Sequence, residues 1–479
     1  MADASEGPGA SYAELEALVG VLRVENSALR ERIEELERRL GQDSRNSSKP
    51  PSSDPPLSRA ERRRQARAKA KQWSQRKAGG QPGHEGKSRQ LAAAERVDRR
   101  SAHLPDLCSD CGYRFSGDEQ RVGDPVTHQK WELPPIRPLV LEYQLERLRC
   151  PCCSKPRLAG LPLGVSGSAF GPRLEAHIAT LAGVFRLSRR QVAEVVSKMF
   201  CIPISVGAVD QTIMRMSAAL ADPWEQLRKS IQNAELVHAD ETSWRLSGAQ
   251  QYLWLAASAL AACFRIDPHR SQAAAKELLG EDFGGFVISD RYAGYHFLDV
   301  LQQQLCWAHA IRQLVELSER QRTPGKLGRK LVKAARAVIA THRRYLEEGH
   351  DLDWLRNELS PLRARIQALL EQGARGRHPK TANFCAGLLA EYDALWTFCD
   401  VKDIEIPLTN NAAERALRHA VIMRKVQLGT QSEQGNRWVE RILSIRETLR
   451  LQDRPVLDYL IDAATAAHHG QPAPSPLPP

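Results

Sequence analysis

The sequence predicts a multidomain α+β protein, and three observations carry that prediction. Leucines at 15, 22, 29 and 36 fall seven residues apart near the start of the chain, the spacing of a coiled coil. Two cysteine knuckles, Cys108-Ser-Asp-Cys111 and Cys150-Pro-Cys-Cys153, follow a basic stretch. Further on, apolar runs of strand length are interrupted by one helical pattern, and two of them end on aspartate, at Asp240 and Asp290. Three strands, a helix and a fourth strand are the opening of a ribonuclease-H-like fold.

Composition bounds the class. At 479 residues the chain exceeds a single simple core, and 42% hydrophobic content is ordinary for a globular protein. No run approaches the roughly 18 apolar residues of a membrane span, and no signal-peptide order opens the chain, so a cytoplasmic, nucleoid-associated protein is expected. The net charge of +11, from 68 Lys and Arg against 57 Asp and Glu, favours a polyanionic partner.

In chain order, Val19, Asn26, Ile33 and Leu40 fill the second seam of a coiled coil over 12–40, and Asn26 is the amide that selects a parallel two-stranded register. A homodimer follows from it, an amphipathic helix packed on its own chain being the alternative. The segment 41–100 reads as a flexible basic arm. Its start is rich in Pro and Ser, and from Arg59 to Arg100, 14 Lys or Arg stand against four acids. Arg62, Arg63, Arg64, Arg67, Lys69 and Lys71 are its candidate phosphate contacts; a solvated disordered linker is the other reading.

Region 101–165 holds the knuckles. Cys108, Cys111, Cys150 and Cys153 together satisfy the tetrahedral demand of a structural zinc ion, with Cys152 as a spare or an alternative to Cys153. The 38 residues between Cys111 and Cys150 are more than a common zinc ribbon allows. The remaining cysteines, at 201, 263, 306, 385 and 399, read as small core residues. Region 170–230 reads as helical: Ser188 caps a helix through Met199, Cys201 to Ile204 breaks it, and Ser205 caps a second. Such a pair fits a helix-turn-helix DNA reader and equally an ordinary packing unit.

The core begins over 231–320. Leu236 to Asp240 reads as a buried strand followed by a polar stretch, Tyr252 to Ala262 and Cys263 to Ile266 as two more, Ser271 to Leu279 as a helix, and Phe286 to Ser289 as a fourth strand ending at Asp290. In that order the first and fourth strands lie side by side, which brings Asp240 and Asp290 together. A helical insertion fills 321–400, and 401–465 completes the core. There Thr409 is placed to cap a helix that carries Glu414 in its second turn, with Arg415, Arg418, Arg424 and Lys425 positioned to meet phosphates. Two aspartates and a glutamate can hold a pair of magnesium or manganese ions, the arrangement that stabilises attacking and leaving oxygens in phosphodiester chemistry. Read singly, each acid is as well explained as a loop start or an ion-pair partner.

Four ordered motifs resemble the DDE transposases of the insertion-sequence sixty-six family: His-Ala-Asp240-Glu-Thr-Ser-Trp, Ser-Asp290-Arg-Tyr-Ala-Gly-Tyr, Cys306-Trp-Ala-His309 and Asn410-Asn411-Ala-Ala-Glu414-Arg. The resemblance extends over nearly the whole chain. It implies an enzyme that cuts and joins DNA at the terminal inverted repeats of its own element, with Asp240, Asp290 and Glu414 as catalytic metal ligands and Cys306 and His309 as accessory residues. It also implies double-stranded DNA, repeats and target alike, as partner, together with accessory transposition proteins. A nuclease or resolvase that never joins strands, and a zinc-containing DNA-binding regulator that has lost catalysis, are the rival expectations.

Overall fold

The computed structural model describes residues 89–478. The expected coiled coil at 12–40 and the arm residues from Arg62 to Lys71 lie outside them. The chain divides into two compact units, whose described parts are 89–137 and 138–478.

The smaller unit carries a 3-10 turn at Ala94–Arg96 and the first cysteine knuckle, where Leu107 bridges Arg114, the Cys108 amide donates to the Tyr113 carbonyl at 2.8 Å, and the Gly112 amide donates back to the Cys108 carbonyl at 2.9 Å. Near its start Arg89 stacks over Trp131 at 4.3 Å.

The larger unit opens with a short antiparallel hairpin, β1 (Arg147–Arg149) and β2 (Pro156–Leu158), whose turn is the second knuckle. Helices α1 (Pro172–Ala179), α2 (Arg189–Met199), α3 (Val206–Ala219) and α4 (Ala221–Gln232) follow. Ser188 caps α2 through a reciprocal box with Gln191, and Ser205 caps α3 by accepting from the Ala208 amide at 3.1 Å, as the sequence predicts. Cys201 is not a core residue. It is exposed in the turn between these helices with φ +57°, whereas Cys263, Cys306, Cys385 and Cys399 are buried.

A five-stranded mixed sheet forms the centre, in the order β5-β4-β3-β6-β7, from β3 (Leu236–Leu246), β4 (Ala249–Ala257), β5 (Ala262–Asp267), β6 (Phe286–Ser289) and β7 (Gln303–Leu305). Helix α5 (Gln272–Leu279), capped by Ser271, links β5 to β6. The first strand runs six residues beyond Asp240, through the polar stretch expected to follow it. Ser247 and Gly248, both at positive φ, turn it back into β4 as a two-residue hairpin. Beyond β7 come α6 (Trp307–Ser318), α7 (Arg322–Glu348), α8 (Leu352–Ala374), α9 (Pro379–Ala390), the short α10 (Thr397–Asp400), α11 (Asn411–Gln427), α12 (Glu433–Leu451) and α13 (Val456–His468).

Two apolar cores flank the sheet. One gathers α1 to α5 and α11 to α13 with strands β3 to β5; the other gathers α6 to α10 with β6 and β7. Neighbours Val287 and Ile288 in β6 enter different cores, as the period of two requires. In the second core α7 lies directly on the end of α6, and a Cβ on Gly325 or Gly328 would collide with the backbone of Arg320 or Ser318.

The outer edge of the sheet is closed by side chains. Along α12, Thr448, Ser444 and Glu440 accept hydrogen bonds from the amides of Ala262, Phe264 and Ile266 at 2.9, 2.8 and 2.7 Å. Four residues of helix rise about 6 Å and two residues of strand about 6.6 Å, so the two ladders stay in step. Every amide on the exposed side of β5 that would otherwise invite another strand is thereby occupied. Among the described residues no helix is long and apolar enough to cross a membrane.

Candidate active site

Strands β3 and β6 run parallel with Val237 opposite Val287 and His238 opposite Ile288. Continuing that register two residues places Asp240 level with Asp290, on the same face by parity. Asp240 keeps part of its surface open to solvent, although protein surrounds most of it. Burial is the main reason its carboxyl is pushed up to about 8, and the nearby charges of Glu241, Asp290 and Glu414 add to the shift. One hydrogen bond opposes it, from the Glu241 amide to Oδ1 at 2.8 Å. Asp290 closes a small turn by accepting from the Tyr292 amide at 2.9 Å.

Glu414 reaches this place from α11, and the way its helix is anchored differs from the expectation. Thr409 does not cap α11. The helix starts at Asn411, which puts Glu414 in its first turn, and the preceding Asn410 makes no side-chain cap. Asn410 is fully buried and its amide is used elsewhere: Nδ2 donates to the Ala239 carbonyl at 2.7 Å, and Oδ1 accepts from Nδ1 of His238 at 2.9 Å. The donor bond fixes which end of the amide is oxygen, so Nδ1 of His238 must carry its proton. Burial lowers the His238 pKa, consistent with that neutral tautomer. The backbone amide of Asn410 donates to the Cys306 thiol at 3.1 Å, and the Cys306 amide donates to the Ser289 carbonyl at 2.9 Å. One asparagine and one cysteine thus join the strand of Asp240, the residue before Asp290 and the helix of Glu414.

His309, in the first turn of α6, has Nε2 3.7 Å from a Glu414 oxygen, while its Nδ1 is buried without a partner among the described residues. Burial and Arg312 lower its pKa, against the pull of Asp290 and Glu414. In the larger unit, no three His, Cys, Asp or Glu among the described residues are packed tightly enough to form a ready-made ion cage. The donor chemistry nevertheless suits a hard divalent cation: oxygen ligands, a crowded negative charge, and a carboxyl with a single amide donor.

Around this centre lies a shell that the sequence reading did not assign. Glu241, next to Asp240 and within electrostatic reach of Asp290, receives Nε of Arg270 at 2.8 Å and the Tyr295 hydroxyl at 3.1 Å. Arg270 lies flat on the Tyr292 ring at 3.9 Å, and the Tyr292 hydroxyl donates to the Arg270 carbonyl. Arg291, next to Asp290, donates to Glu391 at 2.6 Å and to Gln313 at 3.1 Å, which ties the Asp290 turn to α6 and to the segment after α9. Tyr292 and Tyr295 stand in the quoted motif, yet their pairing with Arg270 and Glu241 depends on the folded sheet and has no sequence signal.

Arg415, Arg418 and Lys425 are exposed on α11. Arg424 is drawn inward, donating to the Thr242 hydroxyl at 3.2 Å and to Ser243. The knuckles prepare thiolates: backbone amides of Asp110 and Cys111 lower the Cys108 pKa, and those of Cys153 and Cys152 lower that of Cys150.

Comparisons with known proteins bear on this arrangement. Residues 167–437 match the family model "Transposase IS66 family", and 105–154 match "zinc-finger binding domain of transposase IS66". Residues 5–90 match a family of unknown function, DUF6444. The chain is also similar to uncharacterized protein y4hP of Sinorhizobium fredii, 25% identical over 405 residues that cover 76% of this chain and 71% of that one. A mixed sheet among many helices, preceded in the sequence by an IS66 zinc finger and carrying Asp240 and Asp290 at one level of adjacent strands, agrees with the family match over more than half the chain: this protein belongs to the IS66 family of DNA transposases.

Proposed function

We propose that this transposase hydrolyses the phosphodiester at each end of its element and joins the freed 3′ hydroxyl to target DNA, using Asp240, Asp290 and Glu414. The observation that carries the proposal is the matched level of Asp240 and Asp290 on adjacent parallel strands, with the Glu414 helix pinned to the same strand by Asn410. The strand order, first beside fourth, supports a ribonuclease-H-like core.

Asp240 and Asp290 would hold magnesium or manganese, and Glu414 would complete a second position. When bound, such ions supply Lewis acidity to the phosphoryl group and acidify water. The chain's own contribution is placement and charge. Asn410 and Cys306 fix the relative height of the three carboxylates, and the crowding that pushes Asp240 up is relieved when a cation is held there. Exposed Arg415, Arg418 and Lys425 grip the DNA backbone beside the scissile bond. A water oxygen attacks phosphorus and the 3′ oxygen leaves with a proton; the new 3′ hydroxyl then gives up its proton and attacks a target phosphodiester, whose own 3′ oxygen leaves and is protonated, so the number of ester bonds is conserved in the joining step. The four cysteines 108, 111, 150 and 153 take a structural zinc ion, the helix pair α2 and α3 reads DNA, and the N-terminal coiled coil pairs two copies in the bacterial cytoplasm.

The test is cleavage of a duplex bearing the element's end. Asp240→Ala should abolish metal-dependent cleavage while end binding persists; cleavage that survives the substitution removes Asp240 from the reaction. Precleaved ends offered with target DNA should be joined, and hydrolysis without joining would leave a nuclease.

A further inference from the structure

We propose that helix α7 of the insertion carries a second DNA-binding surface, a ridge that takes the phosphate backbone of duplex DNA away from the carboxylates. The inference rests on the reading above that DNA is the substrate. From Arg322 to Arg344 the chain has eight Lys or Arg and no acid. Lys326, Arg329, Lys330, Lys333, Arg336 and Arg343 are all exposed. At about 100° per residue they fall within an arc of roughly 140°, while Leu327, Leu331, Ala335 and Val338 occupy the opposite side and enter the second core.

The middle of the ridge is uncompensated. Among the described residues Lys326, Lys330, Lys333 and Arg336 form no ion pair, whereas Arg344 near the C-terminal end of the same helix pairs with Glu348 and Glu358, and Arg363 on α8 pairs with Asp393 and Asp400. Lys326 and Lys330, like Arg329 and Lys333, are like charges one turn apart, which weakens a helix. The first turn of α7 carries no acid, and cations there oppose the helix dipole. A stripe that costs the fold on each of these counts is matched by an anion with regularly spaced charge. The eight residues span about 33 Å at 1.5 Å per residue, the rise of roughly ten base pairs.

The test uses the full chain and a mixed-sequence 40-base-pair duplex, followed by fluorescence anisotropy over a salt series. Lys330→Gln, Lys333→Gln and Arg336→Gln combined should lower the slope of log affinity against log salt by about 2.7 and weaken binding at least tenfold near 0.1 M salt. An unchanged slope with an unchanged melting temperature overturns the proposal. Lysine acetylation mapped by mass spectrometry needs no substitution: DNA should protect Lys326, Lys330 and Lys333, and equal labelling with and without DNA, or protection by polyglutamate but not by DNA, also overturns it. The triple variant should still cut a short duplex that ends at the carboxylates. A chain that shows the ridge effect but never cuts sinks only the catalytic reading, and one that cuts with an unchanged slope sinks only the ridge.

Discussion

Glu440 and Asp240 are carboxylates held against the same sheet, one reaching its outer edge from α12 and one on its central strand, and the fold treats them differently. Glu440 is almost wholly buried and accepts from the Ile266 amide at 2.7 Å and from Arg437 at 2.8 Å. Burial raises its pKa, and both donors pull it back. Asp240 has one amide donor and three acidic neighbours. A carboxylate that holds a fold together is given donors; one that is to hold a cation is given other carboxylates and a path to solvent.

Substitution at the two positions should separate these roles most sharply. Asp240→Asn should cost cleavage on the order of a thousandfold or more, since cation-based stabilisation is worth several kcal/mol, while the protein melts no lower than the parent. Glu440→Ala should do the reverse. It leaves the Ile266 amide without a partner and a small void, a loss of about 2–4 kcal/mol of stability, while the folded fraction cleaves normally. Glu440→Gln, which keeps an acceptor, should recover most of that loss. Denaturant melts beside cleavage rates check all three, and an Asp240→Asn protein that melts well below the parent would erase the distinction.

Asn410 lies between the two cases, a buried polar residue that serves position. Asn410→Ala removes its bonds to Ala239 and His238, and α11 is then free to shift against β3. Displacements of about 1 Å in a reacting geometry cost on the order of a hundredfold in rate, so cleavage should fall by that factor with DNA affinity preserved. Raising the magnesium concentration should restore little, because the loss is in placement. Full recovery at high magnesium would mean that Asn410 acts on ion affinity alone.

The difference between these residues also marks what could be read from the chain. Asp240 and Asp290 were legible because each follows a short apolar run, and the helix before the second run predicts that the two strands be parallel and adjacent. The continuation of β3 was not, since Glu241 to Arg245 is polar on the face that meets Arg270 and Arg424, although the Ser247-Gly248 pair was an available hairpin signal. The α12 ladder was hidden more deeply. Glu440, Ser444 and Thr448 recur every four residues, a polar stripe that sequence periodicity assigns to solvent, and only the edge of β5 makes it an inward face. Thr409 reads as the cap of the Glu414 helix, while the anchoring role of Asn410 has no local signal, because its bonds reach residues 171 and 172 positions away.

The smallest expected effect concerns pH. With a chelator present, Asp240 retains its proton in the folded protein up to about 8, while in the unfolded chain it ionises near 3.8. The folded state therefore binds more protons between these values, and this contribution to stability is complete below about pH 4 and is lost as pH rises through 8. The melting temperature should drop by a few degrees over that interval, and the portion due to Asp240 should vanish in Asp240→Asn. Magnesium at pH 8 stabilises the folded form by mass action when it displaces that proton, so it should raise the melting temperature of the parent and leave Asp240→Asn nearly unmoved. Glu440→Gln should respond to magnesium as the parent does, because the edge carboxylate, already paired, has no charge left to offer a cation.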